Sequence, residues 1–230
     1  MKPFVLVHGA WVGGWYLRDI ARGLRAAGYE VFTPTLTGLG ERVHLGHRDV
    51  GLATHVQDIV NVLIYEDLWE VTLVGHSYGG MVITGVAEVV PDRIGHLIYL
   101  DALVPENGQS AADLAPGAMP YFEEAARQGG DGWQVPHEPP HPRKLPHPLK
   151  SLKEPLAITN PASVPLPRTY VLFTASSFAF AHIFAQIAQN VRAAGWHYRE
   201  VAVEHIAPET DPQALVALLL ELTESSFILW

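Results

Sequence analysis

The chain has 230 residues, of which 48% are hydrophobic and 17% charged, against roughly 25% charged in an average soluble domain, so intrinsic disorder is excluded. Fifteen Lys and Arg against 24 Asp and Glu leave a net charge of -9, the wrong sign for tracking a phosphate backbone or an anionic membrane. Neither nucleic acid nor a membrane is an expected partner, and with no cysteine there is no disulfide framework, thiolate metal site or cysteine nucleophile.

This length suits one domain with a core large enough to need no staples. The apolar run Phe4 to Val7, after Met1-Lys2-Pro3, is far too short for a signal peptide or a membrane span, and Ala214 to Leu220 is interrupted by Glu221. The expectation is a soluble, cytoplasmic protein. Its oligomeric state is not legible.

Short aliphatic runs alternate with longer helical patterns, the signature of a parallel sheet covered on both faces. Strands are predicted at Phe4 to His8, Glu30 to Thr33, Val71 to Val74, His96 to Leu100, Thr169 to Phe173 and Tyr198 to Val203. Helices are predicted over Tyr16 to Ala27, ending at Gly28, over Leu52 to Tyr65, and over Met81 to Val90, stopping at Pro91. A further one runs from Phe178 to Ala194, ending at Gly195, and Pro212 suits the first turn of the last.

One segment breaks the rhythm. Between Pro105 and Pro167 lie 13 of the 18 prolines, and only Ala111 to Gln128 has helix-like pieces. A connection this long inside a compact domain is usually functional, and Tyr121, Phe122, Trp133 and several leucines give it apolar surface to pack. The reading is a core made of residues 1–104 and 168–230, with a Pro-rich cap, 105–167, inserted before the fifth strand.

The strongest chemical signal is Gly75-His76-Ser77-Tyr78-Gly79-Gly80, directly after a predicted strand and before a predicted helix. That is the context of a nucleophile elbow. Side chains at Gly75 and Gly79 would collide with neighbouring backbone in so sharp a turn, while the serine takes a strained conformation that holds its Oγ at the C-terminal edge of the sheet. A second Gly-rich turn, His8-Gly9-Ala10-Trp11-Val12-Gly13-Gly14-Trp15, emerges at the same edge. Its N–H groups, from Ala10 or Trp11, are candidates to form an oxyanion hole with the N–H of Tyr78. Phosphate binding is excluded there, because neither G-x-G-x-x-G nor a Walker lysine is present. Trp11, Tyr78 and Trp133 are candidate pocket walls.

These stretches, with Phe4-Val5-Leu6-Val7-His8-Gly9-Ala10-Trp11 and Tyr99-Leu100-Asp101-Ala102-Leu103-Val104-Pro105, make the chain resemble the α/β-hydrolase family, and within it small esterases akin to the plant methylesterases and hydroxynitrile lyases. The resemblance implies an α/β-hydrolase fold, with about six mostly parallel strands and helices on both faces. It also implies a triad in the chain order Ser, acid, His, no cofactor, and a pocket between sheet edge and cap. The run Thr35-Leu36-Thr37-Gly38-Leu39-Gly40-Glu41-Arg42 is similar to bacterial members; it reads as a tight loop beside the pocket, held by an Arg/Glu pair.

A serine nucleophile needs a base at the same sheet edge, late in the chain, and of twelve histidines His205 fits, following the last predicted strand. His8, His76 and His96 read as structural, His197 begins a strand at the wrong edge, His182 lies in a helix, and His44, His47 and His55 belong to a loop and the helix after it. His137, His141 and His147 read as solvated cap histidines, since no carboxylate pattern or helical spacing makes them metal ligands.

The related methylesterases carry their acid after the strand equivalent to Thr169 to Phe173, yet no Asp or Glu occurs from Thr169 to Arg199. Asp101, at the end of the strand beside the elbow strand, is the candidate acid, with Glu106 the other nearby carboxylate. Cyanohydrin cleavage is disfavoured because Ile206 stands where hydroxynitrile lyases carry a lysine, and Gly9 where they carry a hydroxyl residue. Haloalkane dehalogenases and epoxide hydrolases use an aspartate at the elbow, where this chain has Ser77. The expected activity is hydrolysis of small hydrophobic or aromatic carboxylic esters through an acyl-enzyme. A non-catalytic small-molecule receptor, or another serine-triad hydrolase such as a lactonase, thioesterase, C–C hydrolase or perhydrolase, stays open.

Overall fold

Successive residues of the central strands point into two different cores. Val5, Val7, Leu73, Leu97, Tyr99 and Tyr170 pack on one face of the sheet, while Phe4, Leu6, Val74, Ile98, Leu100 and Val171 pack on the other. Strands covered on both faces have no polar side, which is why they read as unbroken apolar runs.

The structure is a computed structural model that describes residues 1–225. In chain order the elements are β1 (Phe4–Val7), α1 (Arg18–Ala26), β2 (Val31–Phe32), α2 (Leu52–Tyr65), β3 (Val71–His76), α3 (Gly79–Val89) and β4 (Ile94–Leu100). Then come α4 (Ala111–Leu114), α5 (Met119–Gly129), β5 (Gln134–Val135), β6 (His147–Pro148) and α6 (Leu149–Lys153). β7 (Arg168–Phe173), α7 (Ala181–Ala193), β8 (His197–Val201), α8 (Ala207–Thr210) and α9 (Pro212–Ser225) complete the chain. The main sheet has six strands in the order β2-β1-β3-β4-β7-β8, every pair parallel. One core takes residues of α2, α3 and α7, the other residues of α1 and α9. This is the α/β-hydrolase architecture expected.

The chain leaves β1 toward β2 on one side and returns to β3 on the other, so the strand order reverses between β1 and β3. In open α/β sheets a crevice forms at that reversal, outside the carboxyl ends of the strands. Both Gly-rich turns of the sequence lie there.

Several predicted boundaries shift, among them those of β3, β8 and α7. β3 runs on through Gly75 and His76, which pair with Tyr99 and Leu100. β8 stops at Val201 because the Val203 N–H turns back to the Val201 carbonyl at 3.0 Å, a tight turn that lifts the chain off the sheet before His205. α7 begins at Ala181, leaving Phe178 to Phe180 in a loop whose start is tied to the segment after β8 by Glu204, which accepts the N–H of Ser177 at 2.7 Å.

Residues 105–167 form α4, α5, the antiparallel pair β5 and β6, and α6, the last a helix the sequence reading did not foresee. Their return to the core is fixed by Glu88 of α3, whose carboxylate accepts the N–H groups of Thr159 at 2.6 Å and Asn160 at 2.7 Å. Among the described residues no helix is long and apolar enough to cross a membrane.

Candidate active site

Ser77 is the turn between β3 and α3, and its φ of 56° lies in the left-handed region that a side chain disfavours. The glycines around it are required by contact. A Cβ on Gly75 would fall 2.7 Å from the Gly79 carbonyl oxygen, and one on Gly79 would fall 2.6 Å from that of Val7. Two further non-glycine residues at this edge have positive φ, Trp11 at 64° after β1 and Asp101 at 43° after β4. Three of the six non-glycine residues with positive φ among the described residues thus sit where three strand ends meet.

Three side chains from these ends form one hydrogen-bonded series. His205, on the loop after β8, donates Nδ1–H to Asp101 Oδ2 at 2.6 Å, which leaves its Nε2 free to accept from Ser77 Oγ at 3.1 Å. Asp101 is 1% exposed, and its other oxygen accepts the Phe173 N–H at 3.3 Å. The backbone of His205 is held in turn: His76 donates Nε2–H to its carbonyl at 2.9 Å. Burial keeps the His76 imidazole neutral, with a pKa well below its ordinary value, and its Nδ1 has no hydrogen-bond partner. The rings of Phe178 and Phe184 lie nearly parallel to the His205 imidazole, at centroid distances of 4.6 and 4.8 Å. An imidazolium forming there meets aromatic faces.

Trp11 is tied at three points to the segment between β4 and β7. Its N–H donates to His147 Nδ1 at 3.4 Å, its carbonyl accepts the Leu145 N–H at 2.8 Å, and its indole N–H donates to the Val135 carbonyl at 2.9 Å. The His147 tautomer follows: Nδ1 accepts, so Nε2–H donates to Ser151 Oγ at 2.8 Å, and Ser151 donates to the Pro148 carbonyl. His147 is fully buried, not solvated, because this Pro-rich chain folds back over Tyr78, whose ring lies 4.9 Å away. Burial, and then its neighbours His55 and His8, hold its pKa well below the usual histidine value.

Tyr78 caps the start of α3 and is anchored through its hydroxyl, which donates to His55 Nδ1 at 2.9 Å; His55 Nε2–H donates to the Thr37 carbonyl at 3.0 Å. The loop carrying Thr37 is held by Asp58, which accepts from the Thr37 N–H at 2.7 Å and hydroxyl at 2.8 Å and pairs with Arg42 at 3.0 Å. The expected Arg/Glu pair is therefore an Arg/Asp pair, its carboxylate supplied by α2 and not by neighbouring Glu41. Among the described residues the N–H groups of Ala10 and Tyr78 donate to no protein acceptor.

Ser77 borders two cavities. The inner one, about 70 Å³, is walled by apolar side chains including Leu103, Met119, Leu152 and Ile183; the outer, about 510 Å³, reaches His205, Tyr16, Tyr121, His137 and Lys144. Trp11, Phe122, Phe178 and Phe180 border both, and Tyr78 the inner one. Trp133 lies outside both, its ring edge near Gly46. Glu106 is exposed, with Gln109 as the partner of its N–H, and Glu204 serves Ser177. His8, His55, His76 and His147 are buried and His137 and His141 lie at or near the surface. Among the described residues no group of His, Asp and Glu has the geometry to hold a metal ion.

Sequence reasoning did not single out Phe178, Phe180, Phe184 or His147 as site residues. The aromatic spacing Phe178, Phe180, Phe184 was the available signal, masked by its resemblance to a helix start. His147 had no local signal at all.

The α/β hydrolase family profile matches residues 4–218. A carbendazim hydrolyzing esterase of Nocardioides is 54% identical over 130 residues, 56% of this chain and 54% of that protein. A putative chloroplastic methylesterase of Arabidopsis thaliana is 32% identical over 114 residues, 49% of this chain and 26% of that protein. The matched stretches thus span about half and about a quarter of those relatives. Among solved structures, an extracellular α/β-hydrolase from a Paenibacillus species, described as sharing structural and functional homology with tobacco salicylic acid binding protein 2, superposes with a TM-score of 0.84 at 25% identity. That superposition covers 96% of this chain and 98% of the other. With its sheet, its strand-turn-helix at Ser77 and a match spanning residues 4–218, the chain belongs to the α/β hydrolase family.

Proposed function

We propose that the protein is a serine hydrolase that cleaves small carboxylic esters through an acyl-enzyme. The observation that carries this reading is the series Asp101, His205, Ser77, bonded at 2.6 and 3.1 Å beside a largely apolar cavity. In this reading Ser77 is the nucleophile and His205 Nε2 takes its proton as general base. Asp101 fixes the tautomer with Nδ1–H and stabilises the imidazolium. The oxyanion is held by the N–H groups of Ala10 and Tyr78. Ala10 is favoured over Trp11 because the Trp11 N–H is turned to His147, whereas that of Ala10 has no competing acceptor. The Tyr78 N–H has the further advantage of standing at the positive end of α3.

In the same reading residues 105–167 are a cap on a core of residues 1–104 and 168–230, closing the cavity with Met119, Phe122 and Leu152. The partner is a small-molecule ester, and every step is carried by side chains and backbone of the chain itself. The name of the first of these relatives makes carbendazim a natural first substrate to try.

A fluorophosphonate probe followed by peptide mass mapping tests this assignment. A single adduct on Ser77, lost on His205→Ala, is expected. An adduct on another residue, or none with folded protein, overturns it.

A further inference from the structure

The two cavities beside Ser77 differ in size and in one decisive neighbour. His205 borders the outer cavity of about 510 Å³, together with Tyr16, His137, Glu138 and Lys144. It is absent from the wall of the inner cavity of about 70 Å³, which carries Tyr78, Leu103, Met119, Leu152, Ile183 and Phe184 around Ser77.

On the hydrolase reading above, this asymmetry orients the substrate. In acylation the Ser77 Oγ–carbon bond forms, the bond from the carbonyl carbon to the leaving oxygen or nitrogen breaks, and the Ser77 proton passes through His205 Nε2 to the leaving atom. In deacylation a water oxygen bonds to the same carbon, the carbon–Oγ bond breaks, and a water proton returns through His205 to Ser77. The leaving atom must therefore lie on the His205 side, in the outer cavity. The acyl substituent is left with the inner one.

Size then sets the class. An apolar cavity of about 150 Å³ is what it takes to hold a benzene ring, so the inner cavity, less than half that size, admits an acetyl, propionyl or methoxycarbonyl substituent but not a benzoyl ring or a long chain. The outer cavity lies within the roughly 300–1,000 Å³ of ordinary ligand sites. Its walls join the aromatic faces of Trp11, Tyr121, Phe122 and Phe178 to polar groups, Lys144 among them, which pairs with Glu209 at 3.1 Å. We infer that the enzyme takes a short acyl group and a bulky, aromatic, partly polar leaving group. This is the reverse of an ester with a large acid and a small alcohol.

The test holds the leaving group constant. Across para-nitrophenyl acetate, butyrate, hexanoate and benzoate, kcat/KM is expected to fall about tenfold or more from acetate to benzoate, since overfilling a packed cavity costs on the order of a factor of ten or more. With acetate constant, naphthyl acetate is expected to be cleaved at least as well as phenyl acetate. Met119→Ala, which enlarges the inner cavity, shifts the optimum to longer acyl chains. Ser77-dependent turnover that rises with acyl size, or an unchanged profile in Met119→Ala, overturns the orientation and leaves the hydrolase reading standing. No turnover of any ester, together with an unlabelled Ser77, overturns the hydrolase reading and the orientation with it.

Discussion

Trp11 donates its backbone N–H to Nδ1 of His147 at 3.4 Å, a contact between residues 136 positions apart in sequence. It is one of three hydrogen bonds by which residues 135, 145 and 147 hold a tryptophan in the left-handed conformation, next to Ala10 and its unengaged N–H. The geometry of the loop proposed to hold the oxyanion thus depends on how the segment between β4 and β7 is seated.

Removing the acceptor at His147 should be felt at the oxyanion. His147→Ala is expected to lower kcat about tenfold with a smaller change in KM, less than the roughly 10²–10³ lost when an oxyanion donor itself is removed. His147→Asn, whose amide oxygen can replace Nδ1 as acceptor, should recover part of that loss. Equal kcat in the two variants, measured by steady-state kinetics, contradicts the linkage.

Asp101→Asn should leave the fold intact and lower kcat by up to about 10⁴, because the imidazole loses the partner that fixes its tautomer. Glu106→Gln, at an exposed position, should be near wild type. Comparing kcat of the two variants decides between the carboxylates.

Much of this was legible because it is written locally. Gly75, Ser77 and Gly79 announce a turn that only glycines permit, and the two-faced burial of the strands appears as unbroken apolar runs. Asp101 is reached as the candidate acid by elimination, since the loop after β7 holds no carboxylate, and its hydrogen bond to His205 agrees with that choice. What escaped depends on contacts between distant residues. Burial of His147 comes from the folding back of a Pro-rich segment with no period of its own. The loop that carries Phe178 is tied at Ser177 to Glu204, 27 positions later, a contact with no local signal. The partner of Arg42 is not legible locally, because Asp58 approaches from a separate helix while Glu41 lies next door in sequence.

Asp58→Ala should destabilise the protein by about 2–3 kcal/mol, because it strips a charged acceptor from the Thr37 N–H and hydroxyl and leaves Arg42 unpaired in a half-buried loop. A denaturant midpoint equal to that of wild type contradicts this.

Stability should fall as the pH drops below 6.5. Burial lowers the pKa of His8 and His55 to about 4, and those of His76 and His147 well below the ordinary value of 6.5. Between pH 6.5 and about 4 the unfolded chain binds protons that the folded protein does not. The contribution of these groups is therefore complete above pH 6.5 and is lost on acidification, each adding a slope of up to about 1.4 kcal/mol per pH unit. Melting temperature against pH measures this, and His147→Asn should flatten the curve. A melting temperature that is constant or rises on acidification contradicts it.

The most direct measurement is the release of nitrophenol from para-nitrophenyl acetate by wild type and by Ser77→Ala, with near-ultraviolet circular dichroism to establish that the variant is folded. Alanine fits the same turn and removes only the oxygen that His205 Nε2 faces at 3.1 Å. Many turnovers per wild-type molecule are expected, with a folded variant slower by several orders of magnitude, roughly the 10⁴–10⁶ span of serine-hydrolase knockouts. Turnover in Ser77→Ala within a few-fold of wild type would contradict the assignment of Ser77 as nucleophile.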